Sequence, residues 1–132
     1  MMYLFDTSVI IDILRSGQSS EFIQAHAQDE LITSTVCVFE IYCGIYRSEK
    51  RQIQKRLEQF SKLLDTFSTV LPIDSTQAAK AGEIHAELSK KGILIDDMDI
   101  LIAASALSVQ ATLVTGNARH FTRVPELSVL PI

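Results

Sequence analysis

The first apolar run of the chain, residues 2–5, does most to limit the fold, because it ends directly at a carboxylate. Asp6 is followed by Thr7 and Ser8, and then by a new apolar run with helical spacing. A near-continuous apolar strand is typical of a sheet that is buried on both faces. Asp6 would then lie at the carboxyl edge of the sheet, where open α/β folds bind their ligands. We expect Thr7 or Ser8 to cap the helix, which leaves Asp6 for a metal ion; in the alternative, Asp6 only caps.

Helix and strand patterns alternate along the rest of the chain. Strands are predicted at residues 31–33, 68–71, 112–115 and 127–130, and helices at 8–14, from 19 or 20 to 27, 36–47, 50–67, 75–91 and 98–109. We expect Gly17 to end the first helix, Thr35 to cap the third, and Asp74 and Gln77 to form a capping box for the fifth. Strands separated by helices imply parallel pairing. The pattern therefore predicts an α/β fold, a three-layer α/β/α domain with a central, mainly parallel sheet.

Glu40 is a second carboxylate in an apolar setting. In the predicted third helix its neighbours three and four residues away are Val36, Cys37, Cys43 and Gly44. We expect a carboxylate on such a face to be partly buried, and an unpaired buried charge is costly. A cation, an arginine or a proton on Glu40 itself must compensate for that cost. Gly44 leaves room beside the carboxylate for a ligand.

Three more carboxylates, Asp96, Asp97 and Asp99, precede the most apolar stretch of the chain. Residues 100–104 are small or apolar on all sides, which predicts a buried central helix. Negative charge at a helix N-terminus is favourable, and one carboxylate is enough to cap the helix. Asp99 is nearest to the apolar run and is expected to point inward. We expect Asp96 and Asp97 to be loop residues with a structural role.

A polar segment also ends the predicted strand at 112–115. Gly116 and Asn117 follow Thr115 at the carboxyl edge of the sheet, as Asp6 follows the first strand. Asn117 is suited to cap the next helical turn, or to help hold a metal through its carbonyl or a water. His120 lies in that turn and is expected to be a surface residue rather than a metal ligand.

Asp6, Glu40 and Asp99 come from three separate elements that can meet at one edge of the sheet. Ligands that offer only oxygen select hard cations, so we expect Mg²⁺ or Mn²⁺ rather than zinc. An acidic pocket of this kind suits phosphodiester cleavage, in which metal charge activates water and stabilises the departing 3′-oxygen. The sequence therefore predicts a metal-dependent phosphodiesterase.

Length and composition favour one domain over residues 1–132. A chain of 132 residues, 47% apolar and 21% charged, can bury a core without disulfides. Cys37 and Cys43 lie six apart in one predicted helix and cannot bridge each other, so we expect buried free thiols in a reducing compartment. We expect no secretory signal, and the apolar run at 100–109 is too short to span a bilayer. We expect a cytoplasmic protein that does not enter the membrane.

The charges are unevenly distributed. The net charge of −4 argues mildly against a stand-alone nucleic-acid binder, because phosphates are neutralised by Lys and Arg. Residues 47–62, however, carry six basic and two acidic side chains, a local net charge of +4. A run of this kind is usually a solvated helix face.

Four stretches of the chain resemble, in this order, the PIN domain and more narrowly the VapC ribonuclease toxins of bacterial VapBC toxin–antitoxin modules. They are residues 3–11, 39–44, 98–104 and 113–121, which read YLFDTSVII, FEIYCG, MDILIAA and LVTGNARHF. The likeness extends through essentially the whole chain, including the turn at 71–74 and the closing segment at 124–127. One such stretch alone would be weakly specific, whereas four in order and at this spacing are specific.

The resemblance implies an endoribonuclease that depends on Mg²⁺ or Mn²⁺ and whose acidic residues are Asp6, Glu40 and Asp99. The fourth position of the family, Asp or Asn, corresponds to Asn117, where we expect the side chain to orient water rather than bind metal directly. The resemblance also implies a homodimer and a VapB-type antitoxin whose tail blocks the acidic pocket, in a heterotetramer or a larger assembly. The basic segment at 47–56 then becomes a candidate for contact with RNA phosphates or, equally, with the antitoxin.

Other functions remain open from the sequence. One is a PIN nuclease that processes RNA without acting as a toxin, and another is a catalytically silent binding module on the same scaffold. A third is an Asp-based phosphotransferase or receiver domain. A phosphatase of the haloacid-dehalogenase type needs a second Asp two residues after the first, and position 8 is Ser.

Overall fold

The computed structural model describes residues 1–16 and 20–132. The strands are β1 (Met2–Phe5), β2 (Glu30–Ser34), β3 (Thr69–Leu71), β4 (Thr112–Thr115) and β5 (Val129–Pro131). The helices are α1 (Thr7–Ser16), α2 (Ser20–Ala25), α3 (Thr35–Tyr46), α4 (Lys50–Leu64), α5 (Ser75–Lys90), α6 (Asp97–Ser108) and α7 (Ala118–Phe121). The predicted alternation of strands and helices is therefore confirmed. The predictions for Gly17 and Ser19 lie outside the described residues.

The five strands form one sheet in the order β3-β2-β1-β4-β5, and every neighbouring pair is parallel. The chain begins in the centre, moves outward through β2 and β3, and then crosses to β4 and β5 on the other side. Connections between parallel strands need a crossover, and helices supply it here. The sheet with its helices forms the predicted three-layer α/β/α fold.

The core lies between the central strands and the helices that cover them. Leu4, Phe5, Leu113 and Val114 of β1 and β4 are fully buried, as a sheet covered on both faces requires. Helix α6 is the predicted central helix, with its residues 102–106 all buried. Its small side chains allow it to pack closely against α5 and α3. No helix in the described ranges is long and apolar enough to cross a bilayer.

Several predicted helix ends are wrong by a few residues. Ser34, not Thr35, caps α3, because Ser34 is the last extended residue of β2 and its Oγ accepts from the Cys37 N–H at 3.3 Å. Helix α4 ends at Leu64 rather than at Phe67. Phe67 is nevertheless buried, since the apolar spacing reports burial and not the backbone conformation.

The capping box predicted for α5 forms only in part. The Asp74 carboxylate accepts from the Gln77 N–H at 3.0 Å, as expected. The Gln77 side chain does not return to Asp74. It is buried and contacts Ser105 and Ser108 of α6 instead, at 3.5 and 3.4 Å. Gln77 therefore links α5 to α6.

Candidate active site

Asp6 lies where the order of the strands reverses. It directly follows β1, and its N–H donates to the carbonyl oxygen of Val114 in β4 at 3.1 Å. The chain leaves β1 toward β2 and reaches β4 only later, so the carboxyl ends of β1 and β4 flank the crevice in which open α/β sheets bind ligands. Asp6 is only 3% exposed. Its carboxylate must therefore find partners inside the protein.

Three donors surround the Asp6 carboxylate. Oδ1 accepts from Ser8 Oγ at 2.6 Å and from the Val9 N–H at 3.1 Å, and Oδ2 accepts from Thr115 Oγ1 of β4. The bond from Val9 is a helix-capping bond. The prediction that Thr7 or Ser8 caps α1 is therefore wrong: Asp6 caps the helix itself, because it is the residue that precedes the first helical turn.

The burial of Asp6 has an electrostatic consequence. Desolvation raises the pKa of its carboxyl group above the ordinary 3.8, and the hydrogen bonds from Ser8, Thr115 and Val9 lower the pKa only in part. The ionised form is therefore disfavoured in the folded protein. A cation in the crevice would favour the ionised form again.

Glu40 is connected to the end of β1 through Thr7. The Thr7 Oγ1 donates to Glu40 Oε1 at 2.6 Å, which joins the first residue of α1 to the middle of α3. Glu40 is half-buried, as its apolar neighbours predicted. Gly44 lies one turn further along α3, and the space where its side chain would stand is open. The approach to Glu40 past Gly44 is therefore unobstructed.

Asp99 lies in the first turn of α6, with its side chain 23% exposed. His120 Nδ1 lies 3.5 Å from Asp99 Oδ2. Desolvation raises the pKa of Asp99, the His120 contact lowers it, and the negative charges of Asp96 and Glu40 raise it. The negative charge of Glu40 is therefore close enough to Asp99 to contribute to this raised pKa. His120 is 55% exposed but belongs to this site, which the sequence pattern did not indicate.

Asp96 precedes α6 and has the structural role predicted for it, whereas Asp97 is the first residue of the helix and not a loop residue. Asp96 caps α6, its Oδ1 accepting from the Met98 N–H at 3.1 Å. The Asp97 side chain is 82% exposed, with His85 Nε2 at 3.9 Å. Because Asp97 points into solvent at the same helix end, it is a matched control for Asp99.

Asn117 follows β4 at the same edge of the sheet. Its N–H donates to Thr115 Oγ1 at 2.9 Å, and Thr115 in turn donates to Asp6. The Gly116 N–H donates to Ser8 Oγ at 3.0 Å, so the turn after β4 is bound to the turn after β1. The Asn117 side chain is exposed and makes no capping hydrogen bond to α7. The capping alternative for Asn117 is therefore not observed.

The metal role of the acidic residues stays a prediction. Within residues 1–16 and 20–132, no three carboxylate, imidazole or thiol side chains lie close enough together to hold a metal ion as they stand. The donor chemistry nevertheless fits a hard cation, since Asp6, Glu40 and Asp99 offer only oxygen. Glu40 Oε2 and Asp99 Oδ1 accept no hydrogen bond from the described part of the chain. Both oxygens are thus available to a ligand.

The hydroxyl of Thr7 is expected to position Glu40 for catalysis. Replacing Thr7 with Val should lower kcat for RNA cleavage about tenfold, because a hydrogen bond to a charged group is worth about 1.5–3 kcal/mol. KM should change little, and Thr7→Ser should restore kcat because it restores the hydroxyl. Steady-state kinetics on a labelled RNA measure both constants. Equal kcat for Thr7→Val and the wild type would show that the bond does not position Glu40.

The α/β/α fold, together with an acidic site at the switch point of its parallel sheet, is typical of a PIN domain. Comparison with known proteins agrees with this class. The family model of the PIN domain matches residues 3–127. Ribonuclease VapC2 of Haemophilus influenzae is 35% identical over 128 residues, covering 94% of this chain and 92% of that protein. Ribonuclease VapC2 of Rickettsia felis is 32% identical over 133 residues, covering 96% and 95%.

A solved structure has the same fold over the whole chain. VapBC2 from Rickettsia felis, bound to a DNA fragment from its promoter, superposes with a TM-score of 0.91 and covers 100% of this chain and 99% of that chain. At 24% identity this likeness shows the fold alone. Taken with the family match and the two relatives, it completes the assignment: the chain belongs to the PIN-domain family, among the VapC ribonucleases.

Proposed function

We propose that this protein is the toxin of a type II toxin–antitoxin system, an Mg²⁺- or Mn²⁺-dependent endoribonuclease that cleaves RNA and so inhibits translation and growth. The observation that carries the proposal is the linkage of Asp6, Glu40 and Asp99 at the switch point of the sheet. Thr7 connects the Asp6 turn to Glu40, and Glu40 acts electrostatically on Asp99. Two full-length relatives named ribonuclease VapC2 support the proposal.

In the proposed site, the carboxylates of Asp6, Glu40 and Asp99 hold the divalent cation. When bound, this cation supplies an activated water and positive charge for the phosphate under attack. Ser8 and Thr115 hold the Asp6 carboxylate in place, and Thr7 does the same for Glu40.

Cleavage by this site replaces one bond to phosphorus with another. The water oxygen gives up a proton and forms a bond to phosphorus while the bond from phosphorus to the 3′-oxygen breaks, and the 3′-oxygen takes up a proton. Asn117, exposed at the crevice and neutral, is proposed to orient the water. The reaction leaves a 5′-phosphate on one RNA fragment and a 3′-hydroxyl on the other.

The proposed partners follow from the family. A VapB-type antitoxin, with a tail that blocks the acidic site, would keep the enzyme inactive in a heterotetramer or larger assembly of a toxin homodimer. The Rickettsia felis structure of VapBC2 on promoter DNA supports an antitoxin of the VapB type as the partner. The proposed substrate also implies that the protein acts in the cytoplasm.

Substitutions of Asp99 and of its solvent-exposed neighbour Asp97 test which of the two carboxylates belongs to the proposed site. Asp99→Asn, and likewise Glu40→Gln, should slow RNA cleavage about a hundredfold or more, since each removes one charge from the cation site. Asp97→Asn should cleave at the wild-type rate because its side chain points into solvent. Cleavage of a labelled RNA by each purified protein is the measurement. Equal loss in Asp97→Asn and Asp99→Asn would mean that the wrong carboxylate has been assigned.

Induced expression separates a toxin from a processing enzyme. New RNA 5′ ends are mapped after induction of the wild type and of the Asp99→Asn variant, and growth is recorded. A toxin yields new ends and growth arrest with the wild type alone, and co-expression of a neighbouring antitoxin gene relieves the arrest. New ends without arrest would favour RNA processing. The absence of new ends, together with no cleavage in vitro, would favour a silent binding module.

A further inference from the structure

A cleft of about 390 Å³ opens beside Glu40. Side chains of α1, α3 and α4 line it, and its size falls within the range of about 300–1,000 Å³ that is typical of ligand sites. Its apolar lining consists of Ile11, Leu14, Ile41, Gly44 and Ile45. Its polar lining consists of Arg15, Glu40, Gln52, Lys55, Arg56 and Gln59. Three cationic side chains therefore share one cleft with a carboxylate of the acidic site.

The cations of the cleft have no anionic partner in the described part of the chain. Arg15, Lys55 and Arg56 are exposed, and none of them forms an ion pair with residues 1–16 or 20–132. Of the other basic residues in this segment, one differs in this respect. Arg51 pairs with Glu49 at 2.9 Å. Of the six basic residues between positions 47 and 62, only Lys55 and Arg56 line the cleft.

Binding of RNA at the acidic site requires cationic side chains close by. The chain has a net charge of −4, and the carboxylates of Asp6, Glu40 and Asp99 lie at the crevice, so the protein as a whole repels an RNA backbone. Affinity for RNA comes mainly from Lys and Arg that neutralise phosphates. A strand that reaches Glu40 through this cleft passes Arg15, Lys55 and Arg56 on the way.

We propose that Arg15 of α1, with Lys55 and Arg56 of α4, binds backbone phosphates of the RNA next to the one that is cleaved. The apolar lining would then contact the sugar or base of the same nucleotide. Arg15 lies outside the basic segment and joins it only through the packing of α1 beside α3 and α4. The proposal rests on the proposed ribonuclease function and names the surface that holds its substrate.

A pair of double variants on the same helix tests this proposal. Lys55→Gln/Arg56→Gln removes two charges from the cleft, and Lys50→Gln/Lys62→Gln removes two charges of α4 that do not line it. Both proteins therefore have the same net charge. Binding of a short fluorescein-labelled single-stranded RNA of mixed sequence is followed by anisotropy in EDTA, which blocks cleavage, at several salt concentrations. Steady-state cleavage is measured separately with Mg²⁺.

The cleft variant should bind RNA at least about tenfold more weakly than the wild type. The slope of log K against log salt should fall by about 0.7 for each phosphate contact that is lost, hence by about 1.4 for the double variant and about 0.7 for Arg15→Gln. KM for cleavage should rise while kcat stays near that of the wild type. The Lys50/Lys62 variant should keep the wild-type affinity and slope.

Two results would overturn the proposal. One is equal affinity and equal slope for the two double variants. The other is unchanged RNA binding in the cleft variant together with lost binding of the antitoxin, which would assign the cleft to a protein partner. Failure of the proposed function is a separate result, because it would appear as absence of RNA cleavage by the wild type with Mg²⁺.

Discussion

Asp6→Asn is expected to abolish RNA cleavage, by about a thousandfold or more, while the protein stays folded. Asn keeps the shape of Asp and still offers one oxygen to the Val9 N–H and Ser8 hydroxyl, so α1 remains capped. It lacks the negative charge that the proposed cation site needs, which is worth several kcal/mol in the transition state. The measurements are cleavage of a labelled RNA and thermal unfolding of the same preparations.

The direction in which Asp6→Asn changes the stability of the protein follows from the pKa of Asp6. Burial raises the pKa of Asp6 in the folded protein. Protonation of Asp6 therefore stabilises the folded protein fully at pH values below the unfolded-state pKa. This stabilisation is lost as the pH rises through the folded-state pKa. At neutral pH and without metal, the ionised carboxylate therefore lowers the free energy of unfolding. Asp6→Asn should be at least as stable as the wild type under these conditions, and its advantage should shrink in acid.

Asp6→Ala is the companion variant. It removes the cap, at about 1 kcal/mol, and leaves the hydroxyls of Ser8 and Thr115 without their acceptor. It should therefore be less stable than Asp6→Asn by roughly 1–3 kcal/mol, and equally inactive. Cleavage by Asp6→Asn at the wild-type rate would remove Asp6 from the catalytic site. An unfolded Asp6→Asn protein would instead assign Asp6 a purely structural role.

The sequence was a good guide to the elements that burial determines. The apolar residues of β1 and β4 occupy the centre of the sheet, and the small residues of α6 are buried where their all-round apolar pattern predicted. Asp99 and Asp97 differ in exposure as expected, since Asp99 lies nearer to the apolar run. In each case the property depends on the neighbours along the chain, which a sequence pattern reports directly.

Contacts between distant segments were not predictable in the same way. Thr7 and Ser8 were expected to cap α1, yet Thr7 bonds to Glu40, 33 residues away, and Ser8 accepts from Gly116, 108 residues away. Local patterns give the residue types suited to a cap but not which of several neighbours forms it. The place of His120 beside Asp99 and of Arg15 beside Lys55 likewise depends on how the elements pack. These residues became candidates only in the folded structure.

Removal of divalent metal should reduce RNA cleavage to background, and Mg²⁺ or Mn²⁺ should restore it. The physical reason is that the three carboxylates at the crevice otherwise repel one another and the RNA phosphate. Treatment with EDTA followed by titration with each cation measures the effect on cleavage. A second measurement is thermal stability, since ligand at a hundredfold excess over its Kd adds about 2.7 kcal/mol to the free energy of unfolding. Asp6→Asn should lose most of this stabilisation by Mg²⁺, and Asp97→Asn should keep it.

The pH dependence of this stabilisation gives the prediction a further test. Carboxylates bind metal only when ionised, so protons compete with the cation and the apparent affinity falls as the pH falls. Desolvation raises the pKa of both Asp6 and Asp99, so the competition should begin at a higher pH than for ordinary surface carboxylates. Mg²⁺ titrations followed by thermal unfolding over a range of acidic pH values measure the effect. Full activity in EDTA, or a Mg²⁺ affinity that does not change with pH, would contradict a cation site built from these carboxylates.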